Sequence, residues 1–133
     1  MKKTILSILT LSIVFTIVSC NYNDMEPDES QYLRVYYHSN GHTSGEPPVD
    51  PNLYRPGNYN VLPPTSGDTY TILDQGTLER EDHTFAGWLY QGDIDRPNKF
   101  NFLFKPGDRY AVNIEDDSYY AVWRNPNGHL LYD

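Results

Sequence analysis

Leu33, Val35 and Tyr37 alternate with Arg34, Tyr36 and His38 across residues 31–38. A period of two is that of a half-buried strand, whose successive side chains leave opposite faces. Ser39-Asn40-Gly41 closes it with a turn signal. Residues 41–57 hold four Pro and three Gly and read as a loop. Tyr59 and Val61 suggest a short strand stopped by Pro63-Pro64, and Tyr70 to Leu73 is a further short β-like run. His83 to Tyr90 is the next strand, with Phe85 and Leu89 on one face and Ala86, Trp88 and Tyr90 on the other. Phe100, Phe102 and Phe104 alternate ahead of Pro106-Gly107, and Tyr110, Val112 and Ile114 alternate after it. Ser118 to Arg124 reads as the last strand, with Tyr119, Ala121 and Trp123 opposite Tyr120 and Val122. Beyond residue 20 no window sustains the three-and-four spacing of an amphipathic helix. The best places for one helical turn are Asp74–Arg80 and Pro47–Tyr54. The pattern predicts a small, mostly-β domain with a minor α component over residues 31–124, followed by a tail, 125–133.

The first twenty residues follow a different rule. Lys2 and Lys3 precede an apolar run, Ile5 to Val18, broken only by Ser and Thr. Its 14 residues fall short of the roughly 20 that span a bilayer as a helix. It reads as a secretory signal, residues 1–19. The run ends in Ile17-Val18-Ser19-Cys20, which resembles the lipobox of bacterial lipoproteins. The resemblance implies diacylglycerol on the Cys20 thiol and an acyl chain on its amine. One chain anchors only marginally at about 0.8 kcal/mol per buried CH₂, and three together hold firmly. The competing reading is an ordinary signal peptide with a coincidental Cys. Residues 20–30 carry four acids, one Pro and little apolar surface, and read as a disordered acidic tether. Asp24, Glu26, Asp28 and Glu29 fit the acidic cue that some surface-exported lipoproteins carry after their Cys.

Composition sharpens both halves. The chain has 133 residues and a formal net charge of −8. Loss of residues 1–19 removes Lys2 and Lys3 and leaves 18 acids against eight bases, a charge of −10 over 114 residues. Such a balance excludes a phosphate-reading, nucleic-acid-binding face. It equally excludes charge-driven attachment to anionic lipid. Aromatic residues make up 14% of the chain, including 12 Tyr, which speaks for a packed core and against general disorder. The single Cys excludes an internal disulfide and a Cys-based zinc cage.

The body of the chain resembles one copy of the Listeria–Bacteroides repeat, or internalin B-repeat. Val35-Tyr-Tyr-His-Ser-Asn40-Gly41 matches its opening strand and turn, and Tyr54-Arg-Pro-Gly57 with Val61-Leu-Pro63 its next segment. Gly76-Thr-Leu78-Glu-Arg80 and Phe85-Ala86-Gly87-Trp88 match its most specific stretch. Pro106-Gly107-Asp108 and Tyr119-Tyr120-Ala121-Val122-Trp123 match its end. Asp82-His83 stands where the family has Gly-Tyr, Tyr119 replaces an aliphatic residue, and residues 62–75 are longer than the usual connection. The resemblance implies a β-grasp-like fold, similar to ubiquitin-type folds, in which a curved sheet packs across a short helical or irregular segment. Gly76, Leu78, Phe85, Gly87, Trp88, Tyr120, Ala121 and Trp123 are its signature positions. Trp88 and Trp123 read as core residues, and Gly87 as a bulge or a close backbone approach.

Candidate chemistry is sparse. His38 and His42 have ligand spacing but straddle a strand end and a Gly turn, so solvated polar residues are the better reading. Asp93-Ile-Asp95 starts like a calcium loop but meets Pro97 where a ligand belongs. Glu115-Asp116-Asp117 reads as a solvated acidic turn, and Glu79, Glu81 and Asp82 as surface. No phosphate loop, Gly-x-Ser-x-Gly or free Cys nucleophile is present. The expectation is a non-enzymatic module without metal or cofactor, lipid-anchored through Cys20 at the outer membrane or cell surface. It would bind a protein through exposed Tyr36, Tyr90 and Tyr120. The alternative is a glycan-binding module, which requires two or three exposed, coplanar aromatics in a row.

Overall fold

The computed structural model describes residues 29–58, 60 and 62–133. The signal segment, Cys20, most of the acidic tether and the strand expected at Tyr59 and Val61 lie outside the described residues. No helix among the described residues is long and apolar enough to cross a membrane.

The domain is mostly strand. It is built on β5 (Asp117–Arg124), the longest strand. β1 (Val35–His38) lies parallel to its first half, with Val35 opposite Asp117 and Tyr37 opposite Tyr119. β3 (Thr84–Tyr90) lies antiparallel along its other side, with Trp88 opposite Ala121. β6 (Leu130–Leu131) pairs with its end through Trp123 and Arg124. A second, two-stranded sheet joins β2 (Thr69–Thr71) and β4 (Arg109–Ala111), with Tyr70 opposite Tyr110.

Both faces of the larger sheet are covered. On one face Val35, Tyr37, Trp88, Tyr119, Ala121 and Trp123 meet Tyr54, Tyr70, Ile72, Leu78 and Val112 from the irregular segment and the small sheet. On the other, Ala86, Leu89 and Val122 lie under Ile94, Phe100, Leu103, Leu130 and Tyr132. The buried indoles keep their hydrogen bonds: Trp88 Nε1 donates to the Leu73 carbonyl at 2.9 Å and Trp123 Nε1 to the Asn40 carbonyl at 2.7 Å. The first strand's turn, with Asn40 and Gly41 both at positive φ, is thereby tied to the core.

Several elements differ from the pattern. Phe85 does not share a face with Leu89. The β3–β5 register shifts between Phe85 and Gly87, so Ala86 is an extra residue and Phe85 joins Trp88, at 5.0 Å between ring centres. A bulge turns every side chain before it to the other face. Gly87 has φ +142°, and a Cβ there would stand 2.8 Å from the Phe104 carbonyl oxygen. Phe100, Phe102 and Phe104 form no strand. Lys99–Phe102 is a single 3-10 turn behind Asn98 at φ 60°, and only Phe104 pairs, with Trp88. Neither Asp74–Arg80 nor Pro47–Tyr54 is helical; the other 3-10 turns are Glu29–Gln31 and Gln91–Asp93. Tyr110, Val112 and Ile114 do not share one buried side, since Val112 is buried while Tyr110 and Ile114 are exposed. Residue 124 is not the end of the sheet: residues 125–131 turn back on β5, and Leu130 and Tyr132 cover Val122 and Leu89.

Candidate functional site

Most of the signature residues of the sequence build the core. Leu78, Trp88, Ala121 and Trp123 are buried, and Phe85 meets both indoles edge-on. Gly76, at φ +62°, closes a turn in which the Asp74 carboxylate accepts its N–H at 2.8 Å. Tyr120 is different. It lies half-buried on the opposite face, stacked on His38 at 4.5 Å and perpendicular to Tyr132.

The three expected contact tyrosines divide. Tyr36 is exposed, beside His38 and Tyr120 on that outer face. Tyr90 stands on the inner face beside Tyr119 and gives its hydroxyl to Asp117, so it does not share a surface with the other two. Tyr90 follows Trp88 by two residues on β3, so ordinary alternation puts it on the buried face of Trp88.

The most unusual site on the molecule is one that the alternation misread. Asp117 is no part of a solvated turn: Glu115 and Asp116 are exposed, while Asp117 is 2% exposed. Asp117 continues the inward period of Tyr119, Ala121 and Trp123, and that spacing was the available signal. Its Oδ2 accepts the Tyr70 hydroxyl at 2.8 Å and its Oδ1 the Tyr90 hydroxyl at 3.1 Å. The Tyr70 and Tyr119 hydroxyls are 2.5 Å apart. An ionised carboxylate only accepts, so Tyr70 spends its proton on Asp117 and Tyr119 donates to Tyr70. Burial pushes the Asp117 carboxyl above the usual carboxylate range. The two tyrosine donors oppose that rise and Glu115 and Asp116 add to it. Burial likewise raises Tyr70 and Tyr119 well above the ordinary phenol range.

A cavity of about 200 Å³ opens against this cluster. Tyr90, Phe104, Tyr110 and Tyr119 supply rings to its wall, and Asp117, Asn113 and the tyrosine hydroxyls its polar groups. Phe104 holds the rings together, edge-on to Tyr110 at 4.5 Å and to Tyr119 at 5.3 Å. Tyr110 is 42% exposed and forms the solvent side.

The other candidates resolve into ordinary contacts. Asp93 is buried and pairs with Arg96 at 2.9 Å inside a 3-10 turn. His38 stacks on Tyr120, and no three His, Cys, Asp or Glu come together among the described residues. A wider polar groove of about 770 Å³ runs between Thr43–Ser44 and residues 79–84 over Trp123. Its walls are joined by the Ser44–Glu79 bridge.

No family model matches the chain. A protein of Evansella cellulosilytica named "Putative membrane protein" is 29% identical over 96 residues, which is 72% of this chain and 12% of that protein. The chain thus spans about an eighth of the length of the curated relative it matches. No solved structure matches.

Proposed function

We propose that the chain is a lipid-anchored extracytoplasmic protein, held at the outer membrane or cell surface, that carries a non-catalytic interaction module. The observation that carries this reading is the position of the only Cys. Cys20 follows Ile17-Val18-Ser19 at the end of a 14-residue apolar run behind Lys2-Lys3. The described fold begins at Glu29. The ten residues from Cys20 to Glu29 give a reach of at most about 35 Å. The membrane association named for the Evansella relative agrees with an anchored protein.

The module itself is read as one internalin B-type repeat with a β-grasp-like fold. What supports this is a sheet whose first strand runs parallel to β5, crossed by an irregular segment that delivers Tyr54, Ile72 and Leu78 to the core. Binding is favoured over chemistry because tyrosine hydroxyls, and no second acid, base or nucleophile among the described residues, face the buried Asp117 carboxylate. Catalysis would ask for a second convergent acid, base or nucleophile. A sugar platform is not favoured. The exposed Tyr36, Phe102 and Tyr110 occupy three different elements, and Tyr120 meets Tyr132 at 87°.

Metabolic labelling with a fatty-acid analogue tests the reading. The parent chain takes up label and Cys20→Ala does not; label on both ends the lipoprotein proposal.

A further inference from the structure

The residues around the small cavity have a chemical bias that the anchor does not explain. Its wall is a set of tyrosine and phenylalanine rings, its floor holds a buried carboxylate, and among the described residues no Lys, Arg or His lines it. Ring faces carry negative quadrupole potential and attract a cation that has shed its water. A carboxylate in a medium of low polarity reinforces that attraction far more than one in solvent. Among the described residues Asp117 has no cationic partner within salt-bridge distance. Each of its oxygens accepts one tyrosine hydroxyl, which leaves further lone-pair capacity on both. Glu115 and Asp116, immediately before it, add negative potential at the same end of β5.

Size narrows the choice. Pockets for drug-sized ligands run from roughly 300 to 1,000 Å³. This one, at about 200 Å³, takes a headgroup. A hydrated metal ion would want several oxygen ligands, and the hydroxyls of Tyr70, Tyr90 and Tyr119 are already engaged with Asp117 or with one another. A sugar would want more polar groups than remain once those hydroxyls are engaged.

We propose that the cavity between β3, β4 and β5 is a binding site for a small alkylammonium group of the trimethylammonium type, seated against Tyr90, Phe104 and Tyr110 over the Asp117 carboxylate. The group could belong to a free small molecule or to a lipid headgroup; the recognition chemistry is the same. The site needs only residues of the described domain and stands whether or not Cys20 is acylated.

Calorimetric titration of the full chain in a non-ionic detergent tests it. The probes are choline chloride and its uncharged isostere, 3,3-dimethyl-1-butanol. Saturable binding of choline is expected, with the isostere at least about tenfold weaker. Asp117→Asn should weaken choline by a similar factor. Tyr110→Ala, at a ring 42% exposed, should weaken it several-fold, and Val49→Ala, at an exposed residue outside the cavity wall, should not. Binding to phosphatidylcholine vesicles but not phosphatidylglycerol vesicles identifies the lipid headgroup as the source; binding to choline alone identifies a free ligand. The proposal is overturned if choline does not bind saturably. Equal binding of choline and the isostere, or unchanged choline affinity in a folded Tyr110→Ala, also overturns it.

Discussion

The hydroxyls of Tyr70 and Tyr119 meet at 2.5 Å, and they belong to different sheets. Tyr70 sits on β2 of the small sheet and Tyr119 on β5 of the large one. Together with Asp117 and Tyr90 they form a polar seam through an otherwise apolar core. The buried Tyr70, Tyr119 and Asp117 groups satisfy one another across the two sheets, so the seam helps fix how the sheets dock.

Tyr70→Phe should therefore cost more than one hydrogen bond. It removes the donor to Asp117 and the acceptor for Tyr119 while keeping the ring. Leaving such buried groups unpaired costs about 1–3 kcal/mol. Tyr36→Phe, on the exposed face, should change little. Denaturant midpoints of the two variants check this, and equal midpoints would contradict it.

Trp88 fills the inner face and is fully buried, packed edge-on against Tyr37 and Phe85. Trp88→Ala should lose about 3–5 kcal/mol, a large part of the stability of a domain this small. Gly87→Ala should also destabilise, because its Cβ would press on the Phe104 carbonyl in a backbone conformation that L residues avoid. Thermal melts of both, set against Val49→Ala at an exposed site, read the effect.

Two aspartates should respond oppositely to pH. The Asp117 carboxyl is raised by burial, so it takes up a proton more readily in the folded chain than in the unfolded one. Its stabilising contribution is complete below the unfolded value of about 3.9 and is lost as pH rises through the folded one. Asp68 is lowered, first by the Arg55 backbone N–H and then by its guanidinium. Its contribution is present above the unfolded value and lost as pH falls through the folded one. Melting temperature against pH for the parent, Asp117→Asn and Asp68→Asn separates them. The parent should lose stability relative to Asp117→Asn as pH rises from acid, and relative to Asp68→Asn as pH falls.

The buried phenols should resist base. Burial pushes Tyr37 and Tyr54 up to about 12, and Tyr70 and Tyr119 higher. Unfolded tyrosine ionises near 10, so the stability these residues contribute is complete below that pH and lost as pH rises above it. Phenolate absorbance should rise in two stages, with the buried rings titrating together as the chain unfolds. A single stage near the ordinary phenol value would place these rings in solvent.

Much of the fold was legible because alternation is a strong signal where a strand buries one face more deeply than the other. The Tyr119, Ala121, Trp123 period and the Val35, Tyr37 period survive intact, and both indoles are where their size predicted. What escaped was non-local. The extra residue at Ala86 becomes visible only when β3 is laid against β5, and it moved Phe85 to the inner face. Phe100, Phe102 and Phe104 alternate, yet Phe100 packs under the sheet, Phe104 packs above it and Phe102 faces solvent. Asp117 was hidden by its charge. Only the hydroxyls of Tyr70 and Tyr90, 47 and 27 residues away, make its burial tolerable.

The anchor at Cys20 remains the central claim, and the intact mass of the mature protein from membranes tests it most directly. The predicted mass is that of a chain beginning at Cys20 and carrying a diacylglyceryl group and an amide-linked acyl chain. A mature chain cut at another residue, or one beginning at Cys20 with a free thiol and amine, would contradict it.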